Sequence, residues 1–136
     1  MNRFVGTWRL LSFEEIQPDG SINYPYGQDP VGRLIYDAGG HMAVQIMRRD
    51  RLLLSSSDPQ QVPPEEIKAA VEGFTAFFGT YEIDETEKTV THHVEGHVLP
   101  NSVGKDLKRR FEFSGDKLTL KPSDNRRLVW RRVVGS

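Results

Sequence analysis

Phe4-Val5-Gly6-Thr7-Trp8-Arg9-Leu10-Leu11-Ser12-Phe13-Glu14-Glu15-Ile16 is the stretch around which the rest of the chain is organised. It reads as a first strand opened by Gly6-Thr7-Trp8. Alternate side chains of a strand share a face. Trp8, Leu10, Ser12 and Glu14 therefore form one row, and Arg9, Leu11, Phe13 and Glu15 the other. Both rows are apolar near the start and acidic near the end. Two partly buried faces suit a barrel wall that is also packed from outside.

The chain has 136 residues, enough to bury a single core without staples, and residues 1–136 are expected to form one domain. Cysteine is absent, which removes disulfides, thiol nucleophiles and cysteine metal sites. It also fits a reducing compartment. No apolar run is long enough for a signal peptide or a membrane span. The expected location is cytoplasmic, with no membrane partner. The net charge is −1, and the basic spots at Arg48–Arg51, Lys105–Arg110 and Arg126–Arg132 are broken by acids or apolar residues. Nucleic acid needs a continuous basic face and is not an expected partner.

Gln17-Pro18-Asp19-Gly20 is a turn by composition, and Ser21–Asp29 reads as a loop across one barrel end. Pro30–Asp37 and His41–Arg48 form a hairpin through Ala38-Gly39-Gly40. Arg49–Val62 is polar and loop-like. Pro63-Pro64-Glu65-Glu66 then opens a helix, whose stripe is Ile67, Ala70, Val71, Phe74, Phe77 and Phe78. Gly79 is its expected stop, and Gly73 falls in its middle. Five further strands follow at Tyr81–Asp84, Thr89–Val98, Asp106–Phe113, Lys117–Lys121 and Arg127–Val134. The total is all-β: an eight-stranded up-and-down antiparallel barrel with one α-helix inserted between strands three and four. Such a barrel is filled by its own side chains or holds one small ligand.

Gly6-Thr7-Trp8 resembles the Gly-x-Trp signature of the lipocalins. More closely, the chain is similar to the bacterial lipocalin-like domain family of small stand-alone barrels. The matching stretches include Gly32-Arg33-Leu34-Ile35-Tyr36, Gly40-His41-Met42, Gly79-Thr80-Tyr81, Val90–Glu95, Pro100-Asn101, Arg110-Phe111 and Gly115–Leu118. The resemblance implies the same barrel, and a last-strand arginine, Arg131 or Arg132, covering Trp8. It fixes no activity.

Several side chains are candidates for chemistry. On Thr89–Val98, the row Val90, His92, Val94, Gly96 and Val98 is expected to face inward, with His92 its only polar member. A neutral histidine in an apolar cavity can bind a ligand oxygen or move a proton. The opposite row, His93-x-Glu95-x-His97, holds three metal-ligand types. Successive ligands on one strand lie roughly 7 Å apart, so His41 or another remote group would have to help. That row reads as a solvated wall, and neither metal nor cofactor is expected. His41 and Gln45 share a face of the third strand, opposite a core-like row of Met42, Val44 and Ile46. Tyr36 and Tyr81 are pocket candidates because buried tyrosine hydroxyls need partners. On Asp106–Phe113, alternation favours Arg109 as the inward arginine, and the resemblance favours Arg110. A buried arginine needs a carboxylate; without one it can receive an anionic ligand group.

The expected function is binding of one small, largely apolar molecule in the barrel. Trp8, Leu10, Tyr36, Phe74, Phe78, Tyr81, Val94, Phe111 and Trp130 would line the pocket, and His41, Gln45, His92, His93 and Arg110 would orient the ligand. The rival is a cofactor-free isomerase or cyclase of secondary metabolism, using a barrel histidine as acid/base. A third possibility is a barrel filled by its own aromatics. Association into a homodimer is left open.

Overall fold

The hairpin read between Pro30 and Arg48 is one rung of a closed ring. A computed structural model describes residues 2–135. Its strands are β1 (Gly6–Ile16), β2 (Ile22–Asn23), β3 (Val31–Tyr36), β4 (His41–Met47), β5 (Phe74–Asp84), β6 (Thr89–His97), β7 (Asp106–Ser114), β8 (Lys117–Ser123) and β9 (Arg126–Arg132). One helix, α1 (Pro64–Glu72), lies between β4 and β5. The strands pair antiparallel in the order β1-β3-β4-β5-β6-β7-β8-β9, and β9 pairs back on β1. Eight strands thus form a closed barrel, and full closure leaves no edge within it. β2 lies outside, paired only with the end of β1 through Glu15↔Asn23 and Ile16↔Ile22.

Three local expectations are corrected. The helix ends at Glu72 and does not run to Phe78. Gly73 is its C-cap, with its N–H on the Ala69 carbonyl at 3.1 Å. Its own carbonyl accepts from the Arg48 N–H at 2.9 Å, so strand pairing begins immediately. Phe74, Phe77 and Phe78 stand in β5, where Met47↔Phe74 and Val44↔Phe77 are cross-strand partners. Ile67, Ala70 and Val71 remain in the helix, but Phe74, Phe77 and Phe78, spaced to continue it, serve a strand equally well, because two neighbouring strands supply hydrogen bonds that no helix face could match. α1 itself buries no side chain.

Second, part of the Ser21–Asp29 loop is the short strand β2. Third, β1 carries a bulge between Leu10 and Ser12. A bulge inserts one residue and switches which face the following side chains take. Trp8, Leu10 and then Phe13 are buried, so the inward row changes parity at Leu11. That is why both rows of the opening strand read as half apolar.

A second bulge lies where β5 meets β6. Gly79 faces Val94 and Phe78 faces Gly96, leaving Glu95 without a partner. Gly79 must be glycine here, since a Cβ would overlap the His93 carbonyl oxygen. Beyond this point His97 turns to the inner side and stacks on Phe77, with ring centroids 5.3 Å apart and planes 4° apart. Among the described residues, no helix is long and apolar enough to cross a membrane.

Candidate functional site

The barrel interior has a sealed end and an open end. At the sealed end, the turn before β1 drives Phe4 into the bore. Its ring packs edge-on against Tyr36, Phe111 and Phe113 at 5.3, 4.9 and 5.0 Å. The Trp8 indole N–H donates to the Phe4 carbonyl at 2.9 Å. Arg132 covers Trp8 with its guanidinium 4.2 Å from the ring centroid, and donates to the Val5 and Arg3 carbonyls at 2.7 and 2.6 Å. Of the two last-strand arginines considered, Arg132 is the cover. Tyr81 donates to the Asp37 carbonyl at 2.7 Å. Every polar group named at this end has a partner.

Above this floor, Tyr36 and His92 meet at 2.6 Å between the phenol oxygen and Nε2. Both are almost fully buried. Burial, helped by the nearby Arg109 charge, lowers the His92 pKa to about 3, and burial raises that of Tyr36. The pair is neutral at pH 7. Tyr36 has no other acceptor, so the tautomer that satisfies more groups has its O–H donating to Nε2, with the imidazole proton on Nδ1. That Nδ1 has no partner among the described residues.

Next comes a cavity of about 190 Å³, to which all eight barrel strands contribute. Its apolar wall includes Phe13, Leu34, Ile46, Phe77, Leu120 and Trp130. Its polar residues are Thr75, His92, His97, Arg109 and Arg126, and among the described residues no aspartate or glutamate lines it. Arg126 is engaged by Glu15, with 2.7 Å between Nε and Oε2. Arg109 is different. Among the described residues its guanidinium has no hydrogen-bond or ion-pair partner. Burial, with Arg126 repulsion added, lowers its pKa. Three further carboxylates are engaged or turned away: Glu14 holds Arg127 at 2.7 Å, Glu82 faces His93 at 3.4 Å, and Glu95 is exposed on its bulge. The Trp130 indole N–H is also buried, with no partner among the described residues. His97 accepts the Leu99 N–H on Nδ1 at 2.9 Å, which leaves its proton on Nε2.

The candidate residues fall on both sides of the wall. Trp8, Tyr36, Tyr81, His92 and Trp130 face inward, as do Leu10, Val94 and Phe111. Of these, His92 and Trp130 line the cavity, while Trp8, Tyr36 and Tyr81 belong to the packed floor. His41 is exposed and pairs with Asp37 at 3.3 Å, and Gln45 is exposed beside it on the outer face of β4. Phe78 is 55% exposed on the outer face of β5, where its ring occupies the space a Gly96 side chain would fill. Phe74 is half-buried under the Arg51 guanidinium, 5.2 Å from the ring centroid. His93 lies outside between Asp106, at 2.7 Å, and Glu82; the Asp106 hydrogen bond raises its pKa. Arg110 is exposed and pairs with Asp124 at 2.8 Å. Orientation explains the outer placements of His41, Gln45, Phe78, His93 and Arg110: each sits one residue out of step with a buried neighbour. Among the described residues, no cluster of three His, Asp or Glu could hold a metal.

Arg109, Phe13, Phe77 and His97 belong to the cavity but not to the expected pocket. The alternation of Leu107, Arg109 and Phe111 signals the first. Two bulges and the overlong helix hid the others.

Residues 5–133 match the lipocalin-like domain family. No curated protein matches the chain by sequence. Among solved structures, a mutant of the fluorescent protein UnaG is similar at 17% identity, with 96% of each chain covered and a TM-score of 0.41.

Proposed function

The chain belongs to the lipocalin-like domain family, and we propose that it binds one small, largely apolar molecule inside the barrel. The observation that carries this is the cavity: about 190 Å³, floored by the Phe4 plug and walled mainly by apolar side chains from every barrel strand. Ligand sites of this kind combine an apolar lining with a few placed polar groups. A dry cavity of about 150 Å³ accommodates benzene. The ligand therefore has about one ring or a short chain, well below the roughly 300–1,000 Å³ of sites for drug-sized molecules.

The convergence of Tyr36 and His92 is what the isomerase reading requires. Their protonation does not favour it. A general base works best with a pKa near the operating pH, and His92 at about 3 holds a proton too weakly to abstract one from carbon near neutrality. The pair reads better as a polar floor.

Toluene tests the proposal. Ligand binding to the native state raises the melting temperature with concentration, and Val44→Phe fills the bore. Saturable stabilisation by toluene, lost in V44F, is the expected result. No stabilisation in wild type, or equal stabilisation in a folded V44F, overturns it.

A further inference from the structure

The unmatched polar groups on the residues that line the cavity share one chemical character. Arg109 offers guanidinium N–H groups, Trp130 an indole N–H, and His92 the Nδ1–H left by its bond to Tyr36. His97 adds Nε2–H. Thr75 can donate or accept. The wall supplies donors and lacks carboxylates. Buried donors in a folded protein normally have acceptors, and leaving them unmatched is costly. With Arg126 neutralised by Glu15, one cationic charge remains among the described residues that line the cavity, on Arg109.

We propose that the ligand is a small monoanionic carboxylate on an apolar body, with Arg109 as its counter-ion and the Trp130 indole N–H as a second donor. This rests on the cavity being the binding site. A carboxylate is acceptor-only and takes up two or more donors through its two oxygens. Its single charge matches the single unpaired cation, whereas a phosphate dianion would leave a negative charge in a bore without further free cations. The apolar remainder fits the wall of Leu34, Phe77 and Leu120. Cavity size limits that remainder to about one ring.

The protein carries its own control. It has two tryptophans, one with its N–H already bonded to the Phe4 carbonyl and one without a partner. In a 15N-resolved spectrum of the two indole signals, phenylacetate should move the Trp130 resonance and leave that of Trp8 in place. Phenylacetate should also bind roughly tenfold or more tighter than phenylacetamide, the margin of one charge-assisted hydrogen-bonded contact. Arg109→Met should erase that margin and keep toluene binding. Unliganded R109M should melt no lower than wild type, because an unpaired, partly buried cation is replaced by a chain of similar length.

Equal affinity for acid and amide, with toluene still bound, overturns the carboxylate assignment and leaves the apolar cavity standing. A preference for the acid that survives in R109M overturns the role of Arg109. Failure of all three probes overturns the cavity reading itself.

Discussion

The two halves of the barrel interior are built to different standards. At the sealed end, Phe4, Trp8, Tyr36, Phe111 and Leu118 are packed to near-zero exposure, and the Trp8, Tyr81 and Arg132 donors have acceptors. Further up the bore a cavity remains, and among the described residues Arg109 has no counter-ion while Trp130 and His92 each keep an unmatched nitrogen. Both regions use the same strands and neighbouring residues. The packed half supplies the stability that the other half gives up, so departures from good packing mark where the molecule meets something else.

Leu118 and Leu120 test this division most sharply, since they share the inner row of β8 two residues apart. Leu118→Ala opens a sealed void and should cost about 2–5 kcal/mol. Leu120→Ala only enlarges an existing cavity and should cost clearly less. Urea denaturation measures both. Equal losses would mean that the upper half is as tightly packed as the lower.

Adjacent histidines on opposite faces of β6 give the next effect. His92 has its folded pKa lowered from 6.5 to about 3. The unfolded chain then binds the extra proton between these values, so stability falls as the pH drops below 6.5 and the loss continues to about 3. The slope approaches about 1.4 kcal/mol per pH unit. His92→Gln, which keeps an acceptor for Tyr36, should flatten that decline in denaturation curves taken at pH 6.5 and 5. An unchanged slope would show that His92 is not held neutral.

His93 works in the opposite sense and more weakly. Its folded pKa is raised, chiefly by the Asp106 hydrogen bond. Its contribution is therefore complete below 6.5 and disappears as pH rises through the folded value. In His93→Asn the small deficit should be visible at pH 5.5 and vanish at pH 9. A deficit independent of pH would point to packing and not to the ion pair.

Much of this was legible in the sequence. Alternation alone placed Val90, His92 and Val94 inside, chose Met42, Val44 and Ile46 as the core row of β4, and favoured Arg109 over Arg110. These strands have regular ladders, so period two survives along their length. Legibility failed where the ladder itself is irregular. Leu11 and Glu95 are ordinary residues, and nothing in their side chains announces that each will be the extra one in a bulge. Yet each bulge moved a cavity residue, Phe13 or His97, to the side opposite its expected row. The helix boundary failed for another reason. Phe74, Phe77 and Phe78 satisfy a helical stripe as well as a strand, and only pairing with Met47 and Val44, distant in sequence, decides between them.

The seam between β1 and β9 carries one last consequence, for the order in which the molecule comes into being. The other barrel seams join strands close along the chain, but the Arg132 to Val5 hydrogen bond spans 127 residues. Bringing such distant segments together carries a loop-closure cost that local hairpins avoid. On the ribosome, then, the hairpins of the wall can form one by one as they emerge, while Phe4 has no Arg132 to clamp its turn and no complete ring to enter. Floor and cavity arrive together, when β9 docks, and a chain halted before that strand has no site at all.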